Sequence, residues 1–347
     1  MNAPRADGSR LGVVVNPTAG AGRAARAGRR LTARLRSAGH HVHDLSAPTA
    51  AATLAGARRA VDGGALDALV VVGGDGTVHL GAQAVAGTAT PLGIVAVGSG
   101  DDFAACLGLP CHRVTTAVDH VCAALDAGLV RRVDAIAVTC PGRPDRWVTG
   151  AVSAGLDAAV NARATAMRHR GRARYTLAAL VEIAAFRAWS YSLLLRGVTD
   201  DGGLPLRTTD GGRAAVWQGR AAMVTAANTD RIGGGIRVAP DARVDDGLLD
   251  VLVAPVLTRA GAAGIFPLMF TGRHVRRPDV HVLRAREVTI AATPTPEPPG
   301  RAAPLPDAHG DGERLGPLPL TARVVPGALR VLVAPDDQGG ARRRLTT

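Results

Sequence analysis

The stretch Leu69-Val70-Val71-Val72-Gly73-Gly74-Asp75-Gly76-Thr77 constrains the fold more than any other part of the chain. A short apolar run bounded by glycine fits a strand covered on both faces, and residues 78–86 after it can form a helix. The turn therefore lies between a strand and a helix. Glycine lets the backbone come close to a ligand, and amides at a helix start offer partial positive charge to a phosphate. Asp75 stands in the middle, where a carboxylate repels phosphate unless Mg²⁺ or a hydrogen-bond donor lies between them. The combination points to a nucleotide with its metal.

Similar units surround this one. Residues 11–15 form an apolar strand, Asn16-Pro17-Thr18-Ala19-Gly20 a turn, and an Ala/Arg-rich segment to Ala38 has helical spacing. A second strand over 41–45 and a second helix over 50–61 follow; a further strand over 92–97 ends in Gly98-Ser99-Gly100-Asp101-Asp102. This alternation predicts a parallel sheet with helices on both faces. Ligands of open α/β sheets bind outside the carboxyl ends of the strands, so the three loops are expected to converge on one crevice.

After a helix over 119–127 the texture changes. Segments 133–138, 147–152, 191–195, 221–226 and 248–253 alternate or run apolar between glycine and aspartate turns, as strands of a mainly antiparallel second domain do. One helix, over 175–188, interrupts them. Residues 293–310 hold six prolines without periodicity and read as a surface loop or disordered insertion. Segments 319–325 and 328–333 and a basic tail close the chain, and no internal repeat is evident.

A length of 347 residues suits two domains. Aromatics are only 3% of the residues, so the core must be built from Val, Leu, Ile and Ala. All 41 basic residues are Arg, which excludes phosphate loops that depend on Lys. The net charge of +12 favours an anionic partner: nucleic acid, an anionic membrane surface or a phosphorylated ligand. Cys106, Cys111, Cys122 and Cys140 lack the C-x-x-C spacing of a zinc site and read as reduced thiols of a cytosolic protein. The polar start of the chain and the absence of ~18 uninterrupted apolar residues predict a protein that is neither secreted nor membrane-spanning.

The motifs occur in a particular order. Asn16-Pro17-Thr18-Ala19-Gly20, Gly73-Gly74-Asp75-Gly76-Thr77, Pro91-Leu92-Gly93-Ile94, Gly98-Ser99-Gly100-Asp101-Asp102-Phe103-Ala104 and Gly108-Leu109-Pro110 are followed by Gly155-Leu156-Asp157. Gly233-Gly234-Gly235 with Ala239-Pro240-Asp241, then Asp245-Asp246-Gly247-Leu248-Leu249-Asp250, then Asp311-Gly312-Glu313 complete the set. In this the chain resembles the bacterial diacylglycerol kinase-like lipid kinases, a superfamily that includes sphingosine and ceramide kinases. The glycine turn alone is a weak sign, because NAD kinases share it; the ordered set covers most of the chain.

The resemblance implies ATP-dependent transfer of the γ-phosphoryl group to the hydroxyl of a diacylglycerol-like or sphingoid lipid. It implies an α/β nucleotide-binding domain over 1–130 together with 326–347, and a β-rich, sandwich-like lipid-substrate domain over 131–325. Gly73, Gly74, Gly76 and Thr77 would contact the phosphates, with Asp75 acting through the metal or an ordered water, and Asn16 and Ser99 as second contacts. Ser46 reads either as a nucleotide contact or as a plain turn serine. Asp246 would bind Mg²⁺ with the backbone carbonyls of Arg243 and Leu248, and Asp311 would be the general base. Each of these Asp-Gly pairs also fits an ordinary hairpin turn, and His309 reads as a bystander.

Departures from the family pattern are His79-Leu80 in place of an Asn-Glu pair, and Ser99 and Asp101 in place of Thr and Asn, with Asp101 adding charge near the nucleotide. Arg163, Arg168, Arg170, Arg172 and Arg174 beside the apolar segment 175–188, and Arg273, Arg276 and Arg277, suit anionic headgroups or a solvated arginine face equally. Expected partners are ATP and a lipid at an anionic membrane surface. Nucleic acid is not expected, since no aromatic stacking surface accompanies the charge; self-association stays open. The expected location is cytoplasmic, peripheral and transient at the membrane. The alternatives are an NAD kinase-type phosphotransferase and a catalytically weakened regulatory protein that binds nucleotide.

Overall fold

The computed structural model describes residues 8–167, 177, 178, 181, 182, 188–254, 256, 258–294 and 305–334. Two compact units emerge, one of Met1–Ala135 with Pro326–Thr347 and one of Ile136–Val325.

The first unit alternates strand and helix: β1 (Arg10–Val15), α1 (Arg23–Ser37), β2 (His41–Asp44), α2 (Ala50–Asp62), β3 (Ala68–Gly73), α3 (Asp75–Val85), β4 (Leu92–Ala96), α4 (Asp102–Cys106) and α5 (Val114–Ala127). Its strands pair in parallel in the order β2-β1-β3-β4. All residues of β3 are buried, as a strand covered by helices on both faces must be. On α1 the buried residues Ala24, Ala27, Gly28, Leu31 and Leu35 recur every three or four positions and form one stripe. Leu31 and Leu35 each contribute about 1.5–3 kcal/mol by leaving water. The helix expected over 119–127 begins earlier, at Val114, where Arg113 offers no side-chain cap and so no sequence signal.

The second unit begins inside β5 (Val130–Thr139). It continues through β6 (Arg146–Val148), β7 (Ala151–Gly155), α6 (Leu156–Ala166), β8 (Trp189–Arg196), β9 (Arg207–Thr209), β10 (Ala214–Ala221), β11 (Met223–Ala227) and β12 (Leu249–Ala254). Then come α7 (Arg259–Thr271), β13 (His281–Ala285), β14 (Glu287–Ala292), β15 (Ala308–Gly310), β16 (Glu313–Gly316) and β17 (Leu320–Leu332). One antiparallel sheet has the order β13-β12-β11-β7-β15-β16; the first residues of β17 pair with β14, which leads on to β8, β10 and β9. The core is built of Val152, Leu193, Leu195, Val251, Leu283 and Val288, all but fully buried.

Several sequence expectations are revised. The segment 147–152 is two strands, β6 and β7, because the amides of Thr149 and Gly150 bond to the Asp311 carboxylate. Segments 319–325 and 328–333 belong to one strand, β17; Gly327 within it has φ 61° and donates its N–H to Asp134 Oδ1 at 2.7 Å. Part of the segment read as a proline-rich loop is strand β15, while 295–304 lie outside the described residues. Most of the helix expected over 175–188 also lies outside them, as do Arg168, Arg170, Arg172 and Arg174. No helix among the described residues is long and apolar enough to cross a membrane.

Candidate active site

In the first unit the three loops do come together. Asn16 donates its N–H to the Val72 carbonyl at 3.0 Å, which ties the first loop to the strand that carries the glycine turn. The Asn16 side chain accepts from Thr18 Oγ1 at 2.9 Å. Ser46 Oγ accepts the Val15 N–H at 2.9 Å, so this serine closes the end of β1 against the end of β2. At the centre, a Cβ on Gly98 would sit 2.4 Å from Gly74 Cα, so the second and third loops approach backbone to backbone. Gly73 is as tightly held, because a Cβ there would meet Thr77 Oγ1 at 2.2 Å. Gly76 faces open space and Ser99 is exposed.

Asp75 opens α3 and spends its carboxylate on the neighbouring helix. Its two oxygens accept the N–H groups of Asp101 and Asp102, each at 2.8 Å, where α4 begins. Of the two partners the sequence left open for this carboxylate, a metal or a hydrogen-bond donor, the described contacts supply donors. Arg23, at the start of α1, donates to Gly20 O and to Gly98 O, both at 2.9 Å, and joins the first loop to the third. Sequence reasoning did not single out Arg23. Its signal was available: without Lys, a cation beside these loops has to be arginine.

Asp101, read as added charge beside the nucleotide, turns its side chain into the protein. The residue is 1% exposed, sits at φ 61°, and accepts the Gly98 N–H at 3.0 Å, with Oδ2 3.2 Å from His112 Nδ1. Burial first, then the Asp75 charge, push its carboxyl up to about 6. A carboxyl raised in the native state stabilises the fold fully below its unfolded value, and that contribution disappears as pH rises through the raised value. Asp101→Asn cannot ionise. The stability of wild type relative to this variant is therefore expected to fall by up to about 3 kcal/mol between pH 4 and 7, read from denaturant midpoints. An unchanged difference across that range would remove the assignment.

His79, one of the departures from the family pattern, is 7% exposed with Nε2 3.4 Å from Gln83 Nε2, on the inward face of α3.

In the second unit Asp311 and Gly312 form the two-residue turn between β15 and β16, at φ 51° and 83°. The hairpin reading of this Asp-Gly pair is thus correct, and it does not exhaust the residue's role. Asp311 Oδ2 accepts the Thr149 N–H at 2.7 Å and the Thr149 hydroxyl at 3.0 Å; Oδ1 accepts the Gly150 N–H at 2.8 Å. A Cβ on Gly150 would lie 3.0 Å from Oδ1, so any larger residue there would crowd the carboxylate. Buried Asn228 supports this seat by donating Nδ2–H to Thr149 O at 2.9 Å and N–H to Gly150 O at 2.7 Å. His309, 6% exposed, faces Ser153 across the sheet. Enclosure by protein raises the Asp157 carboxyl, opposed by its hydrogen bond to Ser153 and by His309.

Asp246, offered as a metal ligand, makes its described contacts within the chain. Its Oδ1 accepts the Leu248 N–H at 3.1 Å, and its Oδ2 is paired with the Arg284 guanidinium. Arg243, offered as a backbone ligand, turns its side chain to Asp245 at 3.7 Å. No group of three or more His, Cys, Asp or Glu that could hold a metal occurs among the described residues. Of the arginines offered for headgroups, Arg163 is paired with Glu182 and Arg277 with Asp279, so both serve internal contacts.

Comparison with known proteins covers both units. Residues 10–138 match the family described as "Diacylglycerol kinase catalytic domain", and residues 150–333 that described as "YegS C-terminal NAD kinase beta sandwich-like domain". A protein of Mycobacterium tuberculosis (strain ATCC 25618 / H37Rv) named "Diacylglycerol kinase" is 33% identical over 328 residues, 92% of this chain and 93% of its own length. One from Stenotrophomonas maltophilia (strain K279a), "Probable lipid kinase YegS-like", is 25% identical over 221 residues, 61% of this chain and 64% of its own. Among solved structures, a diacylglycerol kinase from Bacillus anthracis str. Sterne superposes with a TM-score of 0.68 at 19% identity, over 96% of this chain and 99% of that one. This last likeness speaks for the fold.

Proposed function

The chain belongs to the diacylglycerol kinase family of lipid kinases, and on that footing we propose that it transfers the γ-phosphoryl group of ATP to the hydroxyl of a diacylglycerol-like or sphingoid lipid. The observation that carries the mechanism is the seat of Asp311, a half-buried carboxylate held at a turn tip by three donors from Thr149 and Gly150. A carboxylate fixed in this way can accept the proton of an alcohol as its oxygen bonds to phosphorus. The phosphate side requires positioning and charge neutralisation more than covalent chemistry. The backbone of Gly73, Gly74 and Gly76 and the Thr77 hydroxyl would supply donors to the phosphates, with Asn16, Ser46 and Ser99 around the nucleotide.

Asp75 acts by holding the third loop, and its bonds to Asp101 and Asp102 offset the charge that would otherwise repel phosphate. The divalent ion is taken to arrive with ATP as part of the substrate, and no step runs through Asp246. The NAD kinase-type alternative is not favoured, because the family match extends through both units and the relatives over most of their length carry lipid or diacylglycerol kinase names.

The test is an acceptor panel: labelled ATP with mixed micelles of diacylglycerol, with micelles of sphingosine, with NAD, and with no acceptor. Label extractable into organic solvent with one of the lipids is the expected result. Label in NADP, or nucleotide binding with no turnover on any acceptor, would overturn the proposal.

A further inference from the structure

The second unit contains a charge cluster in which two aspartates of the Asp245–Asp250 motif meet an arginine from the neighbouring strand. Asp246 lies in the turn before β12, Asp250 on β12 and Arg284 on β13, where Asp250 and Arg284 are directly opposed in the antiparallel register. The Arg284 guanidinium is paired through Nη2 with Asp246 Oδ2, and its Nε lies 3.7 Å from Asp250 Oδ1. The Asp250 side chain is 5% exposed and its Oδ2 has no hydrogen-bond partner. Asp241 and Asp200 add their negative fields at Asp250. Arg284 is fixed by its own backbone: its N–H donates to Asp200 O at 2.8 Å, and its carbonyl accepts from Thr199 N at 2.9 Å.

Carboxylates gathered in this way need a cation. Hard divalent ions take oxygen ligands of this kind, and a guanidinium can take the same place with directed N–H donors. Asp246 cannot give the same lone pairs to both. We propose that Arg284 is the resident cation of this cluster, standing where the family pattern would put a divalent ion on Asp246, so that the second unit folds without metal. Removing the guanidinium then uncovers oxygen donors and gives the unit a metal requirement it did not have. The reasoning is independent of the reaction assigned above, and its readout is stability without nucleotide.

The experiment is thermal unfolding of the full chain after chelation and with excess Mg²⁺ or Ca²⁺. Wild type is expected to unfold at the same temperature in all three conditions. Arg284→Gln is expected to unfold roughly 4–10 °C lower after chelation, since one partner of a largely enclosed pair is lost, and to recover with metal. Arg284→Lys keeps a cation and is expected to stay insensitive to metal. If Arg284→Gln fails to fold, the double variant Arg284→Gln/Asp246→Asn, with less uncompensated charge, is expected to fold and to show no metal response. A wild type weakened by chelation and restored by metal overturns the proposal. So does an Arg284→Gln variant as stable as wild type, or one whose loss metal does not restore.

Discussion

Asp311→Asn is expected to lower kcat for lipid phosphorylation by about 10²–10⁴-fold while leaving the KM for ATP within a small factor, as for loss of a positioned general base. The amide oxygen can still accept from one of the donors at the seat, but the amide NH₂ must face another N–H or hydroxyl. The substitution therefore also loosens the β6–β7 break, and the control has to separate seat from charge. Thr149→Val supplies it: the carboxylate and both backbone donors remain, and only the hydroxyl bond to Oδ2 is lost. One hydrogen bond to a charged group, about 1.5–3 kcal/mol, corresponds to roughly a 10–100-fold loss, which Thr149→Ser should largely restore. Steady-state kinetics with mixed micelles and a thermal melt of each variant decide the matter. An Asp311→Asn enzyme within a few-fold of wild-type kcat would show that the base lies elsewhere.

This contrast also shows what the sequence could and could not convey. The first unit was legible because its signals are local: β3 reads as a buried strand from four consecutive apolar residues, and the glycines that follow fix the turn. The approach of Gly74 to Gly98 was implied by two polar loops at the ends of adjacent parallel strands. The second unit was less legible because its decisive contacts are distant. Asp311 was singled out by resemblance alone, and its seat on Thr149 and Gly150 lies some 160 positions earlier and shows as strand in any local pattern. The Asp246 contact was illegible for the same reason: its partner Arg284 arrives 38 residues later, on a strand that local patterning did not mark. The inward side chain of Asp101 is a further instance, since its burial depends on a left-handed backbone that the residue type permits but does not announce.

Asp75→Ala is expected to damage the nucleotide side as severely, by a different route. The wild-type carboxylate accepts two backbone N–H groups at the start of α4, a helix of only five residues. Losing both bonds to a charged acceptor costs roughly 3 kcal/mol or more, because two amides are left to find water. The damage concentrates on the third loop, since Gly98 abuts Gly74 and Asp101 holds the Gly98 N–H. With the loop released, the KM for ATP is expected to rise by about 10-fold or more and kcat to fall with it, as when geometry rather than a reacting group is lost. Asp75→Asn keeps one acceptor and is expected to fall between wild type and Ala in both nucleotide affinity and melting temperature. A carboxylate that acted mainly through a metal would instead make Asn as damaging as Ala to turnover, with little change in stability. Calorimetric ATP binding and melts of the three proteins separate these outcomes: a stability loss graded from wild type through Asn to Ala supports the brace, and an unchanged melting temperature across the series rules it out.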